Sequence, residues 1–236
     1  RIQGPDTTTR TRAYEAPNCD ALKCNHPGLE ADNCEIWGWS HAAIGLYQAG
    51  QGHCVHHCYL HHNRRMGLGY GVVLDESQAL IECNRFVDNR HDIAGTGRAG
   101  TSYVARYNIS EAIDPPISHA FDMHGNHESR PPGEWPKFAG DSIVICYNTF
   151  KSGRPRDGIA IRGEPRLGAT VHHNIYERAR IGTQFALPCS NSIIYGDVFL
   201  AKPSLAYYRF GAAGNIVNGK RMPAGQVTEL PRKEKQ

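Results

Sequence analysis

Between residues 119 and 124 the chain reads His-Ala-Phe-Asp-Met-His. In an extended strand, Asp122 and His124 fall on one face, about 7 Å apart by strand rise. A carboxylate and an imidazole so placed can be ligands of one metal, or an acid/base group with the partner that orients it. If Phe121 and Met123 turn inward, Asp122 and His124 turn outward. Asp92 and Arg162 join them from flanking strands, completing the candidate catalytic set. Ala94 and Ala160 beside Asp122 are too small to cover it, so the face is expected to be an open trough with a floor for a sugar. His91, His119 and Asp157 begin the same strands and are candidate substrate-binding residues. Residues 125–140 follow His124 directly and contain Trp135, Phe138, His127, Glu134 and Arg130. Long loops in compact domains tend to be functional or disordered, and aromatic residues commonly rim sugar sites, so Trp135 enters the binding set. Asp92 and Asp122, one strand and two residues apart, would be about 8 Å from one another, a separation suited to an inverting hydrolase. Asp122→Asn is expected to abolish function and leave the melting temperature nearly unchanged.

These residues need a scaffold that repeats. Cys83-Asn84-Arg85-Phe86, Cys146-Tyr147-Asn148-Thr149-Phe150 and His173-Asn174-Ile175-Tyr176 share an Asn-x-aromatic core. With Cys34, Cys58, Asn108 and Asp197 as further anchors, the steps are 24, 26, 24, 40, 26 and 23 residues. The step of 40 contains residues 125–140, and removing those 16 leaves 24. A fixed period with one insertion marks a repeat architecture. Each repeat reads as short strand, Asn turn, very short strand, variable loop, short strand and Gly turn, with period-two alternation and no helical stripe. Strands this short bury a face only when stacked coil on coil.

This pattern resembles the right-handed parallel β-helix of the pectate-lyase-like superfamily over roughly residues 28–211. Its marker is a ladder of Asn84, Asn108, Asn148 and Asn174 in one turn, where Asn tolerates the left-handed region and bonds backbone. The expected fold is all-β, about seven coils of roughly 24 residues, spanning 1–218. Residues 6–27 form a loop excursion and 219–236 a charged, frayed tail. The resemblance implies that the strand after the variable loop, 119–124, lines the substrate groove. It further implies a lyase in which Arg162 or His124 removes the proton beside a uronate carboxylate, with Asp122 holding Ca²⁺. Fold alone does not fix function.

Composition narrows the rest. A formal net charge of +3 demands neither nucleic acid nor a membrane surface, and no apolar run is long enough to span a bilayer. Eight cysteines favour at least one disulfide, Cys19–Cys24 first and Cys34–Cys58 second, hence an extracellular or cell-surface setting. Cys19, Cys24 and His26 match a zinc spacing only weakly. His56, His57, His61, His62, His172 and His173 read as turn and surface residues, with a transition-metal site as the minority reading. No phosphate-cradling loop or nucleophile elbow is present. Two functions remain: a secreted polysaccharide lyase or glycosidase, and a non-enzymatic structural or adhesive unit whose open coil ends could self-associate.

Overall fold

The computed structural model of the chain describes residues 1–5, 17–48, 50–65, 67–113, 119–125, 137–152, 157–177, 191–200, 207–227 and 229. Their regular elements are all strands, stacked as a right-handed parallel β-helix of about six turns, slightly fewer than the seven expected. Sheets of eight, six and nine strands lie side by side, parallel except where the last strand of the third pairs antiparallel, and the second ends at Ile159–Ile161. The first carries the short strands after each Asn turn, such as Arg85–Val87 and Ile109–Ala112. The second contains Asp20–Cys24, Ala42–Tyr47, Tyr70–Asp75, His91–Gly95, Phe121–Met123 and Ile159–Ile161 in sequential register. The third contains the strands before each Asn turn, such as Gln78–Glu82 and Ser102–Arg106.

The ladder holds the stack in register. Each amide donates to the next coil: Asn84 Nδ2 to Asn108 Oδ1 at 3.1 Å, Asn108 to Asn148 at 3.0 Å, Asn148 to Asn174 at 3.0 Å and Asn174 to Asp197 at 3.1 Å. The same Nδ2 atoms donate back to carbonyls of the preceding coil, Val55, Ile81, Ala105 and Ile145. The left-handed residue is not the anchor itself but the one before it: His57 before Cys58, and Cys83, Tyr107, Tyr147 and His173 before the Asn residues, have φ between 52° and 56°. The Asn is needed for its amide, which meets buried backbone groups that would otherwise lack partners.

Inside, like residues stack. Ile44, Val72, Ile93, Phe121 and Ile159 form one buried column. Phe121, Phe150, Tyr176 and Phe199 form a run of rings with centroids 4.9–5.0 Å apart. Gly95 leaves room for Met123, whose Sδ would lie 2.5 Å from an added Cβ.

Three expectations need correction. Residues 20–24, assigned to the loop excursion, form the first strand of the second sheet. Part of the supposed frayed tail is ordered, since Gly225–Val227 pairs antiparallel with Tyr208–Phe210, and Lys220–Arg221 closes the third sheet against Ile216–Val217. Finally, Cys19, Cys24, Cys34, Cys54, Cys58, Cys83 and Cys146 are all free thiols, so neither expected disulfide forms, and Cys189 lies outside the described residues. Column neighbours in parallel strands point the same way, whereas a disulfide needs Cβ vectors that converge. The Cys58 thiol instead donates to Ala31 O at 3.4 Å, the bond an Asn amide makes in later coils. The cysteine argument for an oxidising compartment therefore falls away.

Candidate functional site

The outer face of the six-stranded sheet carries the polar residues. Register places Ala94, Asp122 and Ala160 side by side. The trough expected there is not open. Asp122 is completely buried, beneath a roof made by Arg162, His124, His119 and His91. It does not lie among the apolar side chains of the core; it sits on the opposite side of the strand from Phe121 and Met123, which do.

Arg162 grips Asp122 with two prongs, Nη2 to Oδ2 at 2.6 Å and Nε to Oδ1 at 3.1 Å. His124 Nε2 is 2.6 Å from Oδ2, and His119 Nε2 is 3.4 Å from Oδ1. Burial by itself would raise the Asp122 pKa, but the imidazoles of His124 and His119 outweigh it and hold the carboxyl well below its ordinary range. Charge-assisted bonds of this kind keep a buried carboxylate ionised. The Asp122 carboxylate 2.6 Å from His124 Nε2 favours a proton on that nitrogen by charge, although the two atoms are not aligned for a hydrogen bond, and Nδ1 is then the ring's lone-pair atom.

His91 is buried at the centre of the roof. Its Nδ1 bonds His119 O at 2.8 Å, and its Nε2 faces Asp122 Oδ2 at 3.7 Å. Burial pushes its pKa well below the ordinary histidine value, so the ring is neutral. Tyr70 stacks on His91 with centroids 5.7 Å apart and planes 7° from parallel, and the Arg90 guanidinium lies over Tyr70 at 5.9 Å. Further along the same face, Asp20 binds His41 Nδ1 at 2.5 Å and Tyr47 Oη at 2.7 Å. Tyr70 and the Asp20–His41–Tyr47 group were not anticipated. The register that places Tyr70 beside His91 was the available signal.

Asp92 is the clear misplacement. It lies inside the coil, where Oδ2 accepts from Ser110 Oγ at 2.5 Å and Oδ1 from Asn89 Nδ2 at 3.1 Å. Strict alternation fails at the strand start: Asp92 and Ile93 both turn inward, as Ala43 and Ile44 do. A carboxylate pair of Asp92 and Asp122 across the groove is thus excluded, since the two lie on opposite faces. Asp157 begins the strand beyond His119, and its carbonyl accepts the Ala120 N–H at 2.9 Å. Trp135, with His127, Glu134 and Arg130, lies outside the described residues.

His91, Asp122 and His124 each offer a ligand atom, all within 4.8 Å of one another. This set does not fit Ca²⁺, which takes six to eight oxygens: it has one carboxylate, already neutralised by Arg162, among imidazoles. What the arrangement can do is hold one solvent-reaching imidazole, His124, in a fixed tautomer beside a fixed guanidinium. The chain matches none of the protein-family models and no curated protein.

Proposed function

We propose that this face belongs to a polysaccharide lyase acting on a uronate-containing polymer. The observation that carries the reading is the Asp122-anchored pair of His124 and Arg162. His124 Nδ1 takes the proton next to the uronate carboxylate. The bond between the neighbouring carbon and the glycosidic oxygen breaks, a carbon–carbon double bond forms between the two carbons, and the departing oxygen takes a proton from water to become a hydroxyl. A guanidinium is a poor base in proteins, so His124 is the base and Arg162, bound on two sides to Asp122, the electrostatic partner of the substrate acid. Nε and Nη2 serve Asp122, which leaves Nη1 for a substrate carboxylate. The glycosidase reading loses support with its second carboxylate, Asp92. A polymer of this size is met outside the cell or at its surface, and that is the location we assign.

The test is incubation with a panel of polyuronates while following ultraviolet absorbance of the unsaturated product. His124→Ala should lower the rate by about 10²–10⁴-fold, the usual contribution of a positioned general base. New reducing ends without absorbance would favour a hydrolase. Neither signal on any polymer would favour a structural module. Full activity in the variant would remove His124 from the mechanism.

A further inference from the structure

The structure assigns a second site, remote from the Asp122 roof, to a divalent transition-metal ion: Asp32, His56 and His57, at the corner where the third sheet passes into the first. Consecutive residues of a strand would turn their rings to opposite faces. His57, however, has a left-handed φ of 52°, and the corner brings both rings to one side, 5.2 Å apart and nearly perpendicular. His56 Nδ1 lies 2.9 Å from His57 Nδ1 and 3.0 Å from Asp32 Oδ1, and His57 Nδ1 lies 3.6 Å from the same oxygen. Around a centre about 2.05 Å from each atom, typical of zinc bound by imidazole and carboxylate, those separations subtend about 90–120°. They fall within the spread of a distorted four- to six-coordinate centre.

The non-ligating atoms are held as well. His56 Nε2 meets Glu30 Oε1 at 3.1 Å, which fixes the proton there and leaves Nδ1 as a lone pair. Asn33 Nδ2 donates to Asp32 Oδ2 at 2.8 Å, leaving Oδ1 for the centre. Carboxylate–histidine support of this kind accompanies metal ligands. His57 is more than half exposed, so water can complete the coordination. Two imidazoles and one carboxylate suit zinc, copper, nickel or cobalt rather than calcium or magnesium. The paired histidines alone are insufficient. His172 and His173 repeat the geometry, with Nδ1 atoms 2.9 Å apart, but Tyr195 and Tyr147 flank them in place of a carboxylate.

The experiment is calorimetric titration of the full chain, first stripped with a chelator, with Zn²⁺, and a parallel titration with Co²⁺ read by its visible absorption. One saturable equivalent is expected. His57→Asn, which keeps a residue tolerant of the left-handed corner, and Asp32→Asn should weaken the tightest Zn²⁺ equivalent at least tenfold, and Glu30→Gln about 10–100-fold. His173→Asn and His124→Ala should leave it unchanged, which separates this site from the paired-histidine turn and from the proposed catalytic cluster. No saturable binding, or binding that survives His57→Asn and Asp32→Asn in chains with unaltered circular dichroism, would overturn the assignment. Lyase activity is not part of the readout, so the two proposals fail independently.

Discussion

Asp197→Asn should make the protein more stable. Asp197 occupies the last rung of the amide ladder, where Oδ1 accepts from Asn174 N at 2.8 Å and Nδ2 at 3.1 Å. Its Oδ2 is buried and has no hydrogen-bond partner. In every Asn rung the equivalent atom is an N–H that donates to a carbonyl three residues before the preceding rung, such as Ile145 for Asn174. By that offset, an Asn at 197 would address Val171. Burial pushes the Asp197 carboxyl from 3.8 up to about 7, although the two Asn174 donors oppose the shift. Because the folded pKa is raised, the folded chain keeps a proton between those values that the unfolded chain has lost. Stability is therefore full below the unfolded value and is lost as pH rises to about 7. At 1.36 kcal/mol per pH unit the ceiling is about 4 kcal/mol. The residue is only half-buried, and one unsatisfied buried acceptor costs about 1–3 kcal/mol, which is the gain expected for the variant at about pH 8. Urea unfolding followed by circular dichroism measures it. The gain should shrink markedly at about pH 4, where the wild-type carboxyl is protonated and can donate. No gain at the higher pH, or an equal gain at both, would refute the reasoning.

Other outcomes follow from the same contacts. Asp122→Asn should abolish the proposed lyase activity and also cost about 1–3 kcal/mol, less than a fully buried pair because Arg162 can turn to solvent; urea midpoints for the two chains decide this. With its folded pKa depressed, Asp122 contributes stability above about pH 4 that fades as pH falls further, and the variant should lack that acid-sensitive step. Gly95→Ala would press a methyl group against Met123 and should destabilise by about 1–3 kcal/mol, the usual cost of overpacking, read from the same unfolding curves.

The corners were legible in the sequence because they obey one chemical rule. Asn, Cys and Asp recur at positions 34 to 197, and from Cys58 to Asp197 the structure joins them in that order. The sheet carrying the site was legible too, down to the lateral pairs of Asp122 with Ala94 and Ala160. The side-chain directions at the strand starts were not. Period-two alternation assumes straight strands, and these bend where they enter from a turn, so Asp92 goes in. The covering of Asp122 was missed for a related reason. Small lateral neighbours leave space, but His91, His119, His124 and Arg162 are long enough to reach across and fill it. Alternation alone would also set the rings of His56 and His57 on opposite faces; they meet on one side because His57 is left-handed at the corner.

Each ladder amide gives one proton to the later coil and one to a carbonyl of the earlier coil, and the span from Asn108 to Asn148 takes 40 residues where its neighbours take 24 to 26. Register is thus checked at this corner as well as along the three sheets, and again where Asn63 donates to Asn89 at a second corner. Insertions between corners leave the stack aligned, and duplication of a whole 24-residue unit would hand the next coil a donor of the same sense. Such a scaffold can lengthen, or trade the loops that edge its polar face, without renegotiating its core. Heritable variation is thereby steered away from the core and toward the outer face.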